Sequence, residues 1–152
     1  MILLLALLIG VLAGLRSLTA PAVIAWAVYM GWLKLTGPLS LIGSSPSVVI
    51  LTLLAIFELV ADKLRKTPNR TAPLGLIARL VTGGMSGACI TAAVGQGVFA
   101  GALLGAVGAA IGCHGGYHLR KRLVSALGTK DIYVAVVEDL VAIAGCLWVV
   151  SR

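Results

Sequence analysis

The chain has 152 residues and a formal net charge of +7; 60% of its residues are hydrophobic, 11% are charged, and the mean hydropathy is +1.09. Because soluble domains carry roughly 25% charged residues, this composition excludes a soluble globular protein and indicates a membrane protein with several spans. The basic excess does not indicate nucleic-acid binding, since no basic face carries interleaved base-stacking aromatics. No linker divides the chain, so residues 1–152 are predicted to form a single transmembrane domain.

The first apolar run predicts a membrane helix that begins at Met1 and ends at Leu15. It lacks the basic start of a secretory signal peptide. The polar segment that follows contains Pro21, which disfavours helical geometry at the preceding residue, so we expect a break or kink at Ala20. Residues 22–33 are apolar but too few to cross a bilayer, which takes about 20 residues. They continue the first helix, lie in the interface or re-enter the membrane as a short half-helix; the sequence leaves all three alternatives open.

Four further helices are predicted at residues 47–64, 74–94, 98–127 and 131–150. The third and fourth helices of the chain are joined by a short glycine-rich turn at residues 95–97. The predicted fold class is therefore all-α, a polytopic membrane helix bundle with about five transmembrane helices.

Basic residues cluster in two of the connections, and the positive-inside rule places both clusters on the cytoplasmic side. The turn at residues 95–97 and Arg152 then lie outside, and an odd number of spans places Met1 in the cytoplasm. These features predict a multi-pass protein in the lipid bilayer of a bacterial inner membrane. The clustered basic residues are Lys63, Arg65, Lys66, Arg70, Arg79, Arg120, Lys121, Arg122 and Lys130.

Glycines recur on one face of the helix at residues 98–127, at spacings of four and three. A strip of this kind lets a second helix approach closely and gain dispersion contacts. The partner helix belongs either to the same chain or to a second copy in a homo-oligomer. The glycines are Gly97, Gly101, Gly105, Gly108 and Gly112.

Four of the five acidic residues lie inside or at the edge of apolar runs: Glu58, Asp62, Glu138 and Asp139. An acid at the centre of a membrane helix costs about 2.5–3.5 kcal/mol on insertion scales, so it usually faces a partner or a water-filled path and marks function. Glu58 and Asp62 are four residues apart on one helical face, and we expect Asp62 near the interface in an ion pair with Lys66.

The other two acids are adjacent in the last predicted helix. Neighbouring residues on a helix point about 100° apart, so Glu138 and Asp139 cannot address one small site in the same way. We expect one of them to face the bundle and the other to pair with a basic residue such as Arg79 or Arg120.

Two further polar motifs have competing interpretations. In the loop at residues 67–73, Arg70 is suited to hold a phosphate or carboxylate near a helix N-terminus, but a plain turn with Thr71 as N-cap explains the same residues. His114 and His118 share one helical face; two histidines are a weak metal signal, and interhelical hydrogen bonding is the preferred interpretation. The sequence assigns no metal, and any cofactor is unknown.

A weak internal similarity is also present. Residues 15–20 (Leu-Arg-Ser-Leu-Thr-Ala) are similar to residues 119–126 (Leu-Arg-Lys-Arg-Leu-Val-Ser-Ala), and each precedes a helix with an acid-Leu-Val-Ala tetrad, which opens at Glu58 and at Asp139. The two units would run in opposite directions through the membrane, as in the inverted repeats of many transporters. Chance similarity between apolar segments is the alternative.

Several of these motifs occur together in one known family. The segments Glu58-Leu-Val-Ala-Asp62 and Thr67-Pro-Asn-Arg-Thr71, then Gly115-Gly-Tyr117, and finally Glu138-Asp139 resemble the ordered motifs of small bacterial membrane proteins classed as domain of unknown function 4126. The resemblance runs from Gly14 almost to the C-terminus. It implies an integral membrane protein and no particular substrate.

The leading hypothesis for function is a small transporter or channel that moves a small ion or metabolite, coupled to a proton or cation. Glu58 and one acid of the last helix would bind the cation or proton, with Arg16, Arg79 or Arg120 as counter-charges. A membrane enzyme acting on a lipid phosphate is a second hypothesis, in which the Glu58 and Asp62 carboxylates hold Mg²⁺ and the Arg70 and Arg79 guanidinium groups bind phosphate. The chain lacks a nucleotide-binding loop, which argues against an enzyme. A noncatalytic assembly protein is the third hypothesis.

Overall fold

A computed structural model describes residues 1–61, 63, 73–128 and 130–152, apart from the side chain of Leu127. Within these residues the protein is all-helical, which confirms the predicted fold class at that level. A short 3-10 helix, Gly37–Gly43, precedes the third α-helix. The six α-helices are α1 (Ile2–Leu15), α2 (Thr19–Tyr29), α3 (Ser45–Ala61), α4 (Pro73–Ala92), α5 (Val98–Leu127) and α6 (Asp131–Val150).

Three of these helices, α4, α5 and α6, are long and apolar enough to cross a membrane. The 3-10 helix and α3, which meet at 61°, form a fourth crossing element if they are counted as one bent span. The helices α1 and α2 have 14 and 11 residues, or about 21 and 17 Å at 1.5 Å per residue. Both lengths fall short of the roughly 30 Å of hydrocarbon in a bilayer. The predicted number of five spans is not confirmed.

The directions of the helices follow from their glycine contacts. α1 runs parallel to α5, because Gly10 packs against Gly105 and Gly14 packs against Ala109. α4 runs antiparallel to α5, because Gly83 also meets Ala109 whereas Gly87, further along α4, meets Gly101. α1 therefore starts at the end of the bundle where α4 turns into α5. We call this the turn end, and the opposite end the basic end.

α2 returns to the turn end instead of continuing α1. After α2 the chain reaches Trp32 and Lys34, which line an open cleft of about 550 Å³ together with Val94 and Val150 from the ends of α4 and α6. Buried residues of α1, α2, α4 and α6 pack into one core. α1 and α2 thus form a helical hairpin that starts and finishes at the same end of the bundle. Its tip consists of residues 16–18.

The tip lies near mid-depth of the two helices that it contacts. It meets Thr82 of α4 and Asp139 of α6, which precede the last residues of their helices, Ala92 and Val150, by ten and eleven residues. At 1.5 Å per residue these separations are about 15 and 17 Å. Of the three alternatives for residues 22–33, the packing therefore matches a half-helix that turns back.

One expectation about this region is corrected. The break falls at residues 16–18 and not at Ala20, which is helical. Pro21 lies in the first turn of α2, where its missing N–H would have had no intrahelical acceptor, so it ends no helix there. Met1 lies at the turn end beside the 95–97 turn, because α1 runs parallel to α5; the membrane side of Met1 stays a prediction.

The α5 glycines are covered by other helices of the same chain. A Cβ atom on Gly101 or Gly105 would overlap the backbone of α4, and one on Gly108 or Gly112 would overlap the backbone of α1. Gly97 differs from the prediction, since it has no contact that a Cβ atom would disturb. Association with a second copy would need another surface and stays a prediction.

The hairpin makes a testable prediction for chemical labelling. Cysteines introduced at the exposed positions Lys34 and Gln96 are expected to react with a membrane-impermeant maleimide from one side of the membrane, and a cysteine at exposed Lys121 from the other side. The three native cysteines are buried, so the unmodified protein serves as the low-labelling control. Labelling of Lys34→Cys from the same side as Lys121→Cys would contradict a returning hairpin.

Candidate functional site

The candidate site lies at the hairpin tip, where backbone N–H groups between two helices need acceptors from elsewhere in the chain. α1 ends at Arg16, whose backbone is extended (φ −139°, ψ 109°), and α2 begins three residues later. A helix that starts inside a bundle leaves its first N–H groups without intrahelical acceptors. Glu58 of α3 accepts the two N–H groups that immediately precede α2: the Ser17 N–H donates to its Oε1 at 2.8 Å and the Leu18 N–H to its Oε2 at 2.7 Å. The Glu58 carboxylate therefore caps α2, where the helix dipole also favours a negative charge.

A second carboxylate holds the side chain of the tip. Arg16 is fully buried and forms an ion pair through Nη2 with Oδ1 of Asp139, which is 6% exposed. The other oxygen of Asp139 accepts a hydrogen bond from Nζ of Lys63 at 3.1 Å. Asp139 thus lies between two cations, the arrangement that a buried charge requires. Glu58, in contrast, makes no salt bridge within the described part of the chain, and its partners are the two neutral N–H groups.

Hydroxyl groups complete the surroundings of the tip. The Ser17 and Thr82 hydroxyls lie 3.5 Å apart. The hydroxyl of Thr19, in the first turn of α2, is buried and has no hydrogen-bond partner. Arg79 lies on α4 three residues before Thr82; it is 6% exposed, and its Nη1 donates to the Gly75 carbonyl at 3.2 Å.

A separate charged cluster lies between α5 and α6 at the basic end. Arg120 binds Asp131 with two N–H groups, one of them Nε to Oδ1 at 2.8 Å, and its Nη1 lies 3.7 Å from Oε2 of Glu138. Arg120 and Glu138 line a mainly apolar groove of about 150 Å³ between the two helices. The neighbouring acids Glu138 and Asp139 therefore serve different clusters, as their 100° separation predicts.

The structure distributes the predicted site residues over two places. It brings Arg16, Glu58 and Asp139 together at the tip and places Arg120 and Glu138 in the second cluster. Asp62 and Arg70, with the loop at residues 67–73 and the expected partner Lys66, lie outside the described residues. Sequence reasoning did not single out Ser17, Lys63 or Thr82 as site residues. A threonine beside two glycines in an apolar helix was the available signal for Thr82, whereas Lys63 looked like one more residue of a basic connection.

The histidines differ from their prediction. Nδ1 of His114 lies 3.0 Å from the Ala110 carbonyl of its own helix, so this contact is not interhelical. His118 is exposed and packs edge-on against the ring of Tyr117, with centroids 5.4 Å apart. Among the described residues, no three His, Cys, Asp or Glu side chains are grouped to hold a metal ion.

The two acids at the tip differ in their chemistry. Asp139 is fixed by two cations, so its protonation would break two charge pairs. Glu58 is held by backbone dipoles, so its protonation would break hydrogen bonds and, among the described residues, no salt bridge. The Arg16–Asp139 pair does not depend on the charge of Glu58.

Comparison with known proteins identifies a family whose description names no activity. No curated protein and no solved structure is detectably similar to the chain. Residues 3–151, essentially the whole chain, match one family. With the ordered acidic and basic motifs found above, this match shows that the chain belongs to the family described as domain of unknown function DUF4126.

Proposed function

We propose that this protein is a small membrane transporter or channel that moves a small ion or metabolite, with Glu58 and Asp139 as the groups that respond to the transported or coupled ion. The observation that carries the proposal is the hairpin, two half-length helices whose tip lies at mid-depth and is bound by carboxylates from α3 and α6. Many transporters place their substrate and ion sites near the bilayer midplane, where discontinuous helices end.

The proposal includes an orientation in a bacterial inner membrane. The basic end would face the cytoplasm, since it carries Lys63, Arg120, Lys121 and Arg122. Met1 would then lie on the external side, in place of the cytoplasmic position expected from an odd number of spans, because α1 and α2 return to the end at which they start.

The first test is proton movement driven by ion gradients in proteoliposomes that enclose a pH-sensitive dye. The wild-type protein is expected to couple at least one inorganic ion or small metabolite to proton movement, above the rate of empty liposomes. Glu58→Gln removes the charge of the acceptor and leaves one acceptor oxygen, so it loses at least one charge-assisted hydrogen bond, worth about 1.5–3 kcal/mol. It is expected to lower the coupled rate by roughly tenfold or more. Asp131→Asn, an equal charge change at an exposed acid, serves as the matched control.

A noncatalytic assembly role is the alternative that a specific observation favours, because Arg16 and Lys63 both form ion pairs with Asp139. If that is the role, liposomes would show no protein-dependent movement of any tested ion. The charge-swapped variant Arg16→Asp with Asp139→Arg would nevertheless recover a folded protein. The enzyme hypothesis depends on Asp62 and Arg70, outside the described residues, and predicts Mg²⁺-dependent turnover of a lipid phosphate that Asp62→Asn abolishes.

A further inference from the structure

We infer that the hairpin tip at the N-terminal end of α2 is a binding site for a small monovalent anion, which the Glu58 carboxylate fills until it is protonated. This inference rests on the proposed function and adds a substrate class to it. The anion would take the Ser17 and Leu18 N–H groups when Glu58 takes up a proton. Anion and proton would then be bound together and move together.

The geometry of the Glu58 contacts is that of an anion site. The two N–H donors lie 2.8 and 2.7 Å from the two oxygens, the distances found for hydrogen bonds to a charged acceptor. The donors immediately precede an 11-residue helix, and the N-terminus of a helix carries about half a positive charge. Such termini bind carboxylates, phosphates and other anions in many proteins. A free anion of similar size would find the same donors.

A second observation at the same helix end points to a ligand. Thr19, the first residue of α2, is 4% exposed, and its hydroxyl has no hydrogen-bond partner. The Cα–Cβ bonds of a helix tilt toward its N-terminus, so the Thr19 side chain leaves the backbone on the side of the tip. A buried hydroxyl without an acceptor is costly. An anion bound at the N–H groups would provide that acceptor, which Glu58 does not.

The charges around Glu58 favour this exchange over one at Asp139. Arg16, Lys63 and Asp139 lie at the tip and Arg79 lies one turn from Thr82 on α4; none of them forms a salt bridge with Glu58 in the described structure. Asp131 and Glu138 of α6 pair with Arg120, and His114 of α5 is exposed on the outer face. Protonation of Glu58 removes one negative charge from the tip, and a monovalent anion restores it.

The decisive measurement is chloride and nitrate efflux from proteoliposomes, recorded beside proton movement over a range of pH. The wild-type protein is expected to move chloride or nitrate with protons, and faster as the pH falls. In Glu58→Gln the side chain is neutral at every pH, so anion efflux should persist, lose its pH dependence and cease to drive protons.

Thr19→Val tests the hydroxyl separately. This variant removes a group that has no partner in the protein, so folding should be unaffected, whereas the chloride concentration for half-maximal efflux should rise about tenfold. Ser86→Ala is the matched control, because Ser86 also has a buried hydroxyl without a partner but lies on α4. An unchanged chloride dependence in Thr19→Val would overturn the site.

Two outcomes separate this inference from the proposed function. If only gradients of sodium or potassium drive protons, or if Glu58→Gln abolishes anion efflux together with proton movement, the protein is a transporter but the anion site is wrong. If no ion moves above the rate of empty liposomes, the proposed function fails as well.

Discussion

Asp139→Asn is expected to lower the free energy of unfolding by about 3–5 kcal/mol, the cost of removing one member of a buried ion pair. Arg16 is fully buried, and it loses its ion pair with Asp139, while Lys63 loses its hydrogen bond to the same group. Thermal unfolding of the purified protein in detergent, followed by tryptophan fluorescence, measures the change. We expect a large drop in the midpoint or no recoverable folded protein.

Two further variants make this prediction specific. Asp131→Asn removes the same charge from an ion pair whose carboxylate is 62% exposed, so it should change the stability by no more than about 1 kcal/mol. Adding Arg16→Gln to Asp139→Asn removes the buried cation and should recover part of the loss. Equal destabilisation by Asp139→Asn and Asp131→Asn would show that the tip pair is not a buried structural contact.

Gly112→Ala is expected to destabilise the protein by about 1–3 kcal/mol, the usual cost of forcing extra atoms into a packed interface. A Cβ atom at Gly112 would overlap the Val11 carbonyl of α1. Because this neighbour is backbone and not a flexible side chain, α1 would have to move away from α5. The same thermal unfolding experiment measures the loss.

The same substitution three residues away provides the control. Gly115 has open space where a Cβ atom would lie, and alanine is favoured over glycine inside a helix by about 1 kcal/mol. Gly115→Ala should therefore raise the stability or leave it unchanged. If both variants shifted the stability in the same direction, the close approach of α1 and α5 would be wrong.

Helix positions were the most predictable part of the fold. The predicted boundaries 98–127 and 131–150 coincide with α5 and α6, since long apolar runs end there at charged residues and glycines. The hairpin was left as one of three alternatives. A 12-residue apolar segment of the same composition can continue the preceding helix, lie in the membrane interface or turn back as a half-helix. Only its packing against α3 and α6 decides among these.

The acids of the site were predictable and their partners were not. Burial makes a carboxylate costly wherever it lies in an apolar helix, so Glu58 and Asp139 could be singled out without a structure. Their partners depend on tertiary contacts: Arg16 and Asp139 are separated by 123 positions in the chain, and twelve basic residues compete for five acids. The backbone N–H partners of Glu58 carry no sequence signal, because every residue except proline has this group.

The hairpin also determines the order in which the protein can be completed during its synthesis. α1 and α2 leave the ribosome first, yet they pack against α4, α5 and α6, and Arg16 meets its carboxylate only after α6 has been made. Nascent chains usually fold from the N-terminus onward. Here α1 and α2 cannot complete their packing until α6 has been made. A ribosome that stalls before Asp139 therefore leaves a chain in which the first two helices lack part of their contacts.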